Sequence, residues 1–140
     1  MYLLDSSAIA ILLKRLGRSA PKYIEGVHTL DLARYELGNI VWKECALRAS
    51  ISPKEAVSKA RYIAKLLKTM KVNSIRSDED FKAVMELALK LKLTFYDASY
   101  LYVAKKEGLT LVTEDTELRE KSKDVGIEAV PVSRYVEEMV

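Results

Sequence analysis

Leu109-Thr110-Leu111-Val112-Thr113, with Gly108 before it and Glu114-Asp115 after it, carries the clearest strand signal in the chain. It is apolar and β-branched, and turn-forming or charged residues bound it on both sides. The residues before it, from Thr94 to Glu107, read as a helix stopped by Gly108. Those after it, from Asp115 to about Lys123, read as a short helix. A short apolar strand set between helices is the pattern of a parallel sheet covered on both faces.

The same alternation extends to both ends. Tyr2-Leu3-Leu4 reads as a buried first strand closed by Asp5. Ser6 to Leu16 has helical spacing, with Ile9, Leu12, Leu13 and Leu16 on one face and Gly17 at the end. A short helix is expected after Pro21, then a weak strand at Val27 to Leu30 and a helix from Leu32 to Ala49. Ser52-Pro53-x-Glu55 starts a long helix to about Met70, with Ser52 capping and Pro53 in the first turn. Val72 to Ile75 is expected as a strand. Ser77-x-x-Asp80 has the spacing of a capping box and opens a helix through about Lys92. Ile127 to Val132 is the last expected strand, and Ser133 is expected to cap a terminal helical turn.

The bulk properties fit one α/β domain over residues 1–140. Hydrophobic residues make up 49% of the chain and charged residues 31%, a balance that excludes a disordered chain. No apolar run approaches the roughly 20 residues that span a bilayer, and the start of the chain shows no signal-peptide pattern. Cys45 is the only cysteine, which excludes an internal disulfide and a thiolate zinc cluster. A cytoplasmic location and no membrane partner are the expectation. The net charge of +3 permits contact with nucleic acid without requiring it.

In a parallel α/β sheet, ligands bind off the carboxyl ends of the strands. Asp5 follows the first strand directly, and Asp115 follows the Leu109–Thr113 strand after one residue. Glu36 lies near the start of a helix that follows the second strand, and Asp97 lies in the first turn of the helix opened by Thr94. Each acid also has a purely structural reading. Asp5 and Asp115 fit helix N-caps, Asp97 fits the third position of a capping box with Thr94, and Glu36 fits an acid favoured by the helix dipole.

Those readings do not require the four to meet, whereas the fold directs Asp5, Asp115 and Glu36 to one edge; no obvious strand precedes the helix that carries Asp97. A carboxylate pair 4 Å apart repels by about 1 kcal/mol in water and about 4 kcal/mol at an effective dielectric of 20. Such a cluster persists if a cation neutralises it or if some members are protonated, and all-oxygen donors favour Mg²⁺ or Mn²⁺ over zinc or copper. His28, the single histidine, has no partner for a His-based site and reads as a core or edge residue. Asn39, three residues after Glu36, shares its helix face. Ser7 and Thr113 stand next to Asp5 and Asp115 as polar support.

Four segments together resemble the PIN-domain nucleases, specifically the VapC-type toxins of toxin–antitoxin pairs. They are Leu3-Leu4-Asp5-Ser6-Ser7-Ala8, Tyr35-Glu36-Leu37-Gly38-Asn39-Ile40-Val41-Trp42-Lys43, Tyr96-Asp97-Ala98-Ser99-Tyr100-Leu101, and Leu111-Val112-Thr113-Glu114-Asp115-Thr116-Glu117-Leu118. The resemblance implies a Rossmann-like α/β/α sandwich with a mostly parallel sheet of four to five strands. It implies Asp5, Glu36, Asp97 and Asp115 as a catalytic, metal-binding quartet, supported by Ser7, Asn39 and Thr113. Glu117 occupies a position where many members carry a further acid, but is longer by one methylene.

The implied activity is RNA phosphodiester hydrolysis with one or two Mg²⁺ or Mn²⁺ ions, giving 5′-phosphate and 3′-hydroxyl ends. The implied partners are an RNA substrate, a cognate antitoxin and a second copy of the chain. Tyr96, Tyr100, Tyr102 and the Trp42 helix either offer contact surfaces for that dimer or pack in the core. A non-toxin nuclease of RNA processing or turnover is the main alternative. A non-catalytic, receiver-like signalling module with an acidic cluster is the other.

Overall fold

A computed structural model describes residues 1–139. Its centre is a five-stranded sheet in the order β3-β2-β1-β4-β5, and every strand pair is parallel. The strands are short: β1 Tyr2–Leu4, β2 His28–Leu30, β3 Lys71–Asn73, β4 Thr110–Val112 and β5 Ala129–Val130. Eight α-helices connect and flank them: α1 Ser6–Leu16, α2 Pro21–Ile24, α3 Leu32–Ala46, α4 Pro53–Leu67, α5 Asp78–Leu91, α6 Phe95–Glu107, α7 Thr116–Lys123 and α8 Val132–Met139. This is the expected parallel α/β sandwich. Its strand order differs from the 2-1-3-4-5 order of receiver-like modules, so that alternative is set aside.

Alternation along β1 and β4 divides the core. Leu4, Val112 and Val130 face α1, α3, α4 and α8, with Ile9, Leu12, Leu37, Ile63 and Tyr135 packed against them. Leu3, Leu30 and Leu111 face the other way, against Leu101 and Val103 of α6 and Leu118 of α7. Helix α6 is buried over consecutive positions from Ala98 to Leu101, which marks it as a central helix rather than a one-faced surface helix. Gly108 ends it at φ 65, a left-handed conformation that glycine adopts without steric cost.

Local capping matches the sequence at α4, where Ser52 and Glu55 form a reciprocal capping box. At α5 only half of the expected box forms. Ser77 accepts from the Asp80 amide at 3.0 Å, while the Asp80 carboxylate turns to the Tyr102 phenol and Lys106. Those two donors hold its pKa well below the usual carboxylate range. Four boundaries move. Helix α3 ends at Ala46, not Ala49; β3 lies at Lys71–Asn73, not Val72–Ile75; and β5 shrinks to two residues. Helix α8 begins at Val132, because the Glu114 carboxylate accepts from the Val132 amide at 3.0 Å and does the capping expected of Ser133.

Candidate active site

The sheet reverses its winding between β1 and β4. From β1 the chain moves to β2 and β3 on one side, then returns to β4 on the other. Their carboxyl ends border the crevice where such folds bind ligands. The Asp5 amide donates to Val112 O at 3.2 Å, so the residues after the two strands are joined directly. Ser7 completes the link: its hydroxyl donates to Asp5 Oδ1 at 2.6 Å, accepts from the Glu114 amide at 3.1 Å, and stands 3.4 Å from Thr113 Oγ1. Thr113 Oγ1 in turn accepts from the Asp115 amide at 3.1 Å.

Asp5 caps α1, accepting from the Ala8 amide at 2.9 Å, and Asp115 caps α7, accepting from the Leu118 amide at 3.1 Å. Both structural readings therefore hold, and both leave the acid at the crevice. Asp5 is only 5% exposed. Burial pushes its pKa up to about 6, with the Glu36 carboxylate adding to the rise and the Ser7 and Ala8 donors opposing it. Asp97 is half-buried, and its pKa is also raised, first by burial and then by the fields of Asp115 and Glu36. Its backbone amide donates to Thr94 Oγ1 at 3.1 Å, which caps α6, and the Thr94 side chain also hydrogen-bonds the carboxylate and opposes the rise.

Glu36 sits at the fifth residue of α3, deeper than the first-turn placement its dipole reading needs. Its Oε1 accepts from the Tyr100 phenol at 2.7 Å. Tyr100 is 2% exposed, and burial, then the negative charges of Glu36 and Asp5, raise its pKa far above its ordinary value. Of the two readings open to Tyr100, contact surface or core, the structure has the core. The spacing signal was available, because Tyr100 follows Asp97 by three residues and shares its helix face.

The supporting residues divide. Ser7 and Thr113 are in the network. Asn39 is exposed and makes no side-chain hydrogen bond among the described residues. Glu117 is ion-paired with Lys121 at 2.6 Å and largely exposed. His28 lies in β2, its Nδ1 3.0 Å from Asn73 Nδ2, away from this edge as expected of a core histidine.

Among the described residues, no group of three or more His, Cys, Asp or Glu side chains forms a ready-made metal cage. The donor set nonetheless suits a hard divalent cation. It is all carboxylate oxygen, it includes a buried acid, and among the described residues none of its four members is ion-paired with a lysine or arginine. No helix of the described residues is long and apolar enough to cross a membrane.

Residues 2–124 match the PIN domain family model. Exonuclease VapC9 of Pyrobaculum aerophilum is 38% identical over 122 residues, covering 87% of this chain and 86% of that protein. Ribonuclease VapC3 of the same organism is 39% identical over 122 residues, covering 84% and 91%. The crystal structure of PAE2754 from Pyrobaculum aerophilum superposes with a TM-score of 0.79 at 34% identity, covering 99% of this chain and 93% of that one.

Proposed function

This chain belongs to the PIN domain family, in its VapC-type branch, and on that premise we propose that it is a divalent-metal-dependent ribonuclease with Asp5, Glu36, Asp97 and Asp115 as its centre. It works as one nuclease unit over residues 1–140, in the cytoplasm, as the toxin of a toxin–antitoxin pair. The observation that carries this reading is Asp5, a carboxylate buried at the reversal point of the sheet with its pKa raised and, among the described residues, no cationic side chain ion-paired with it. Burying a charge without a partner is costly unless a ligand supplies one.

Asp5, Glu36, Asp97 and Asp115 would hold Mg²⁺ or Mn²⁺, which supplies Lewis acidity toward water and phosphate. The Ser7 hydroxyl and the Ala8 amide both donate to Asp5 Oδ1, which fixes that oxygen and leaves Oδ2 free of both donors. Thr113 holds the backbone turn that carries Asp115. Asn39 and Glu117 are exposed and would meet substrate rather than the ion. RNA hydrolysis is expected with Mg²⁺ or Mn²⁺, is expected to stop with EDTA, and is expected to return when metal is added in excess. Cleavage that persists in EDTA would sink the reading.

The antitoxin has a candidate seat. A groove of about 960 Å³ runs between α1, α3 and α4, lined by apolar Ile11, Leu37 and Ile40 and by Lys14, Arg18 and Arg48, with its one acid, Glu44, ion-paired to Lys59. That combination favours an amphipathic segment with acidic residues on its polar side. Self-association has support on another helix. Phe81, Met85 and Leu89 of α5 are 51%, 49% and 72% exposed and recur every fourth residue, an apolar stripe of the kind soluble monomers rarely leave open. Tyr96 and Trp42 are also exposed, whereas Tyr100 is unavailable to a partner. Light scattering at micromolar concentration is expected to give a dimer that Leu89→Asp converts to a folded monomer.

A further inference from the structure

We propose that Tyr100 is a positioning residue for the carboxylate centre, holding Glu36 in one orientation through its phenol. The inference rests on the reading of Glu36 as a member of that centre. Glu36 and Tyr100 come from opposite layers. Helix α3 packs on the Leu4 face of the sheet, and α6 packs on the Leu3 face. The phenol crosses the strand ends to reach Glu36 Oε1 at 2.7 Å, and it is the one side-chain donor to Glu36 among the described residues.

A glutamate on a helix has three side-chain torsions to order before it can act, and ordering a long flexible side chain costs free energy each time. Tyr100 removes much of that freedom in advance. Its ring is among the largest fully buried side chains, so the core rather than the surface sets the position of its oxygen. Asp97 lies one helical turn earlier on the same face of α6, so the spacing between Asp97 and the anchored Glu36 is set by a rigid element. Donors of this kind, which orient a ligating carboxylate without touching the ion, alter affinity or activity by about 10- to 100-fold when removed. If the phenol had taken the nearest acceptor for its own satisfaction only, its loss would change stability and nothing else.

Tyr100→Phe keeps the ring and deletes the donor. Mn²⁺ binding to the full chain is measured by calorimetry below the melting temperatures of all variants, and kcat and KM are measured on a short single-stranded RNA with Mn²⁺. Tyr100→Phe is expected to weaken Mn²⁺ binding and lower kcat by about 10-fold, with KM for RNA within about 2-fold and the melting temperature within about 5 °C. In a Glu36→Gln background the same change is expected to have no further effect on either quantity, because coupled residues are non-additive. The proposal is overturned if Tyr100→Phe leaves Mn²⁺ affinity and kcat unchanged while Glu36→Gln lowers both. It is also overturned if the two losses simply add. If Glu36→Gln itself changes neither quantity, the assignment of Glu36 to the centre falls and the proposal falls with it.

Discussion

Asp5→Asn and Asp97→Asn are each expected to lower RNA hydrolysis by at least about 10²-fold, the scale on which removing one electrostatic group from an active site acts. Both substitutions keep shape and remove charge, and in both cases the structural role of the residue survives. Asn caps a helix as well as Asp does, so the bond from the Ala8 amide to residue 5 is retained. The Thr94 cap of α6 uses the backbone amide of residue 97, and that bond survives the substitution. Ser52→Ala supplies the contrast, at the N-cap of α4, whose hydrogen bonds involve none of the four acids. It removes the cap and is expected to cost about 1 kcal/mol of stability while leaving hydrolysis within about 2-fold, a change small beside the 10²-fold scale. Activity and melting temperature, measured on the three variants together, separate chemistry from capping. Activity that survives both Asp5→Asn and Asp97→Asn would remove the quartet as the centre.

The second large effect runs against intuition, since the same Asp5→Asn change is expected to stabilise the metal-free protein at neutral pH. The folded-state pKa of Asp5 is about 6, against an ordinary value of 3.8. A carboxyl with a raised folded pKa binds its proton more tightly in the native state. Its contribution is therefore fully present below about pH 4 and is lost as pH rises through 6. Each unit of displacement corresponds to about 1.4 kcal/mol, so ionised Asp5 weakens the metal-free fold by about 2–3 kcal/mol at pH 7.5. Asn carries no such penalty and still accepts from Ser7 and Ala8.

Denaturant unfolding in EDTA is expected to show the variant ahead by that amount at pH 7.5 and level with the wild type near pH 4. Saturating Mg²⁺ or Mn²⁺ is expected to reverse the order, because only the wild type gains from binding. Comparing the two proteins at each pH isolates Asp5 from Asp80, whose lowered pKa costs both proteins stability alike as pH falls below the ordinary value of 3.8. A variant less stable than wild type in EDTA at pH 7.5 would contradict the account.

Features that act over a few residues were legible before any coordinates. Leu3 and Leu4 alternate, and the sheet sends them to opposite cores. Ser52, Pro53 and Glu55 announce the start of α4, and Gly108 announces the end of α6. Asp5 and Asp115 were placed by strand ends, and both sit there. The weaker predictions fail where local pattern is thin. Strand β3 was misplaced because Lys71 and Val72 are exposed at the sheet edge and carry no core periodicity. Helix α8 was underestimated because its N-terminal partner, Glu114, lies 18 residues upstream.

Sequence alone therefore directed Asp5, Asp115 and Glu36 to the carboxyl edge of a parallel sheet, through strand alternation and helix starts, and left Asp97 to the family resemblance. Only the tertiary structure decided which of their neighbours touch. The pairing of β1 with β4 brings Ser7 to within reach of Thr113 across 106 residues, and the packing of α6 against the sheet turns Tyr100 inward to Glu36 across 64. The reason is physical: propensity and periodicity are properties of a few consecutive residues, whereas strand order and cross-layer contacts come from burying two whole faces of the sheet at once.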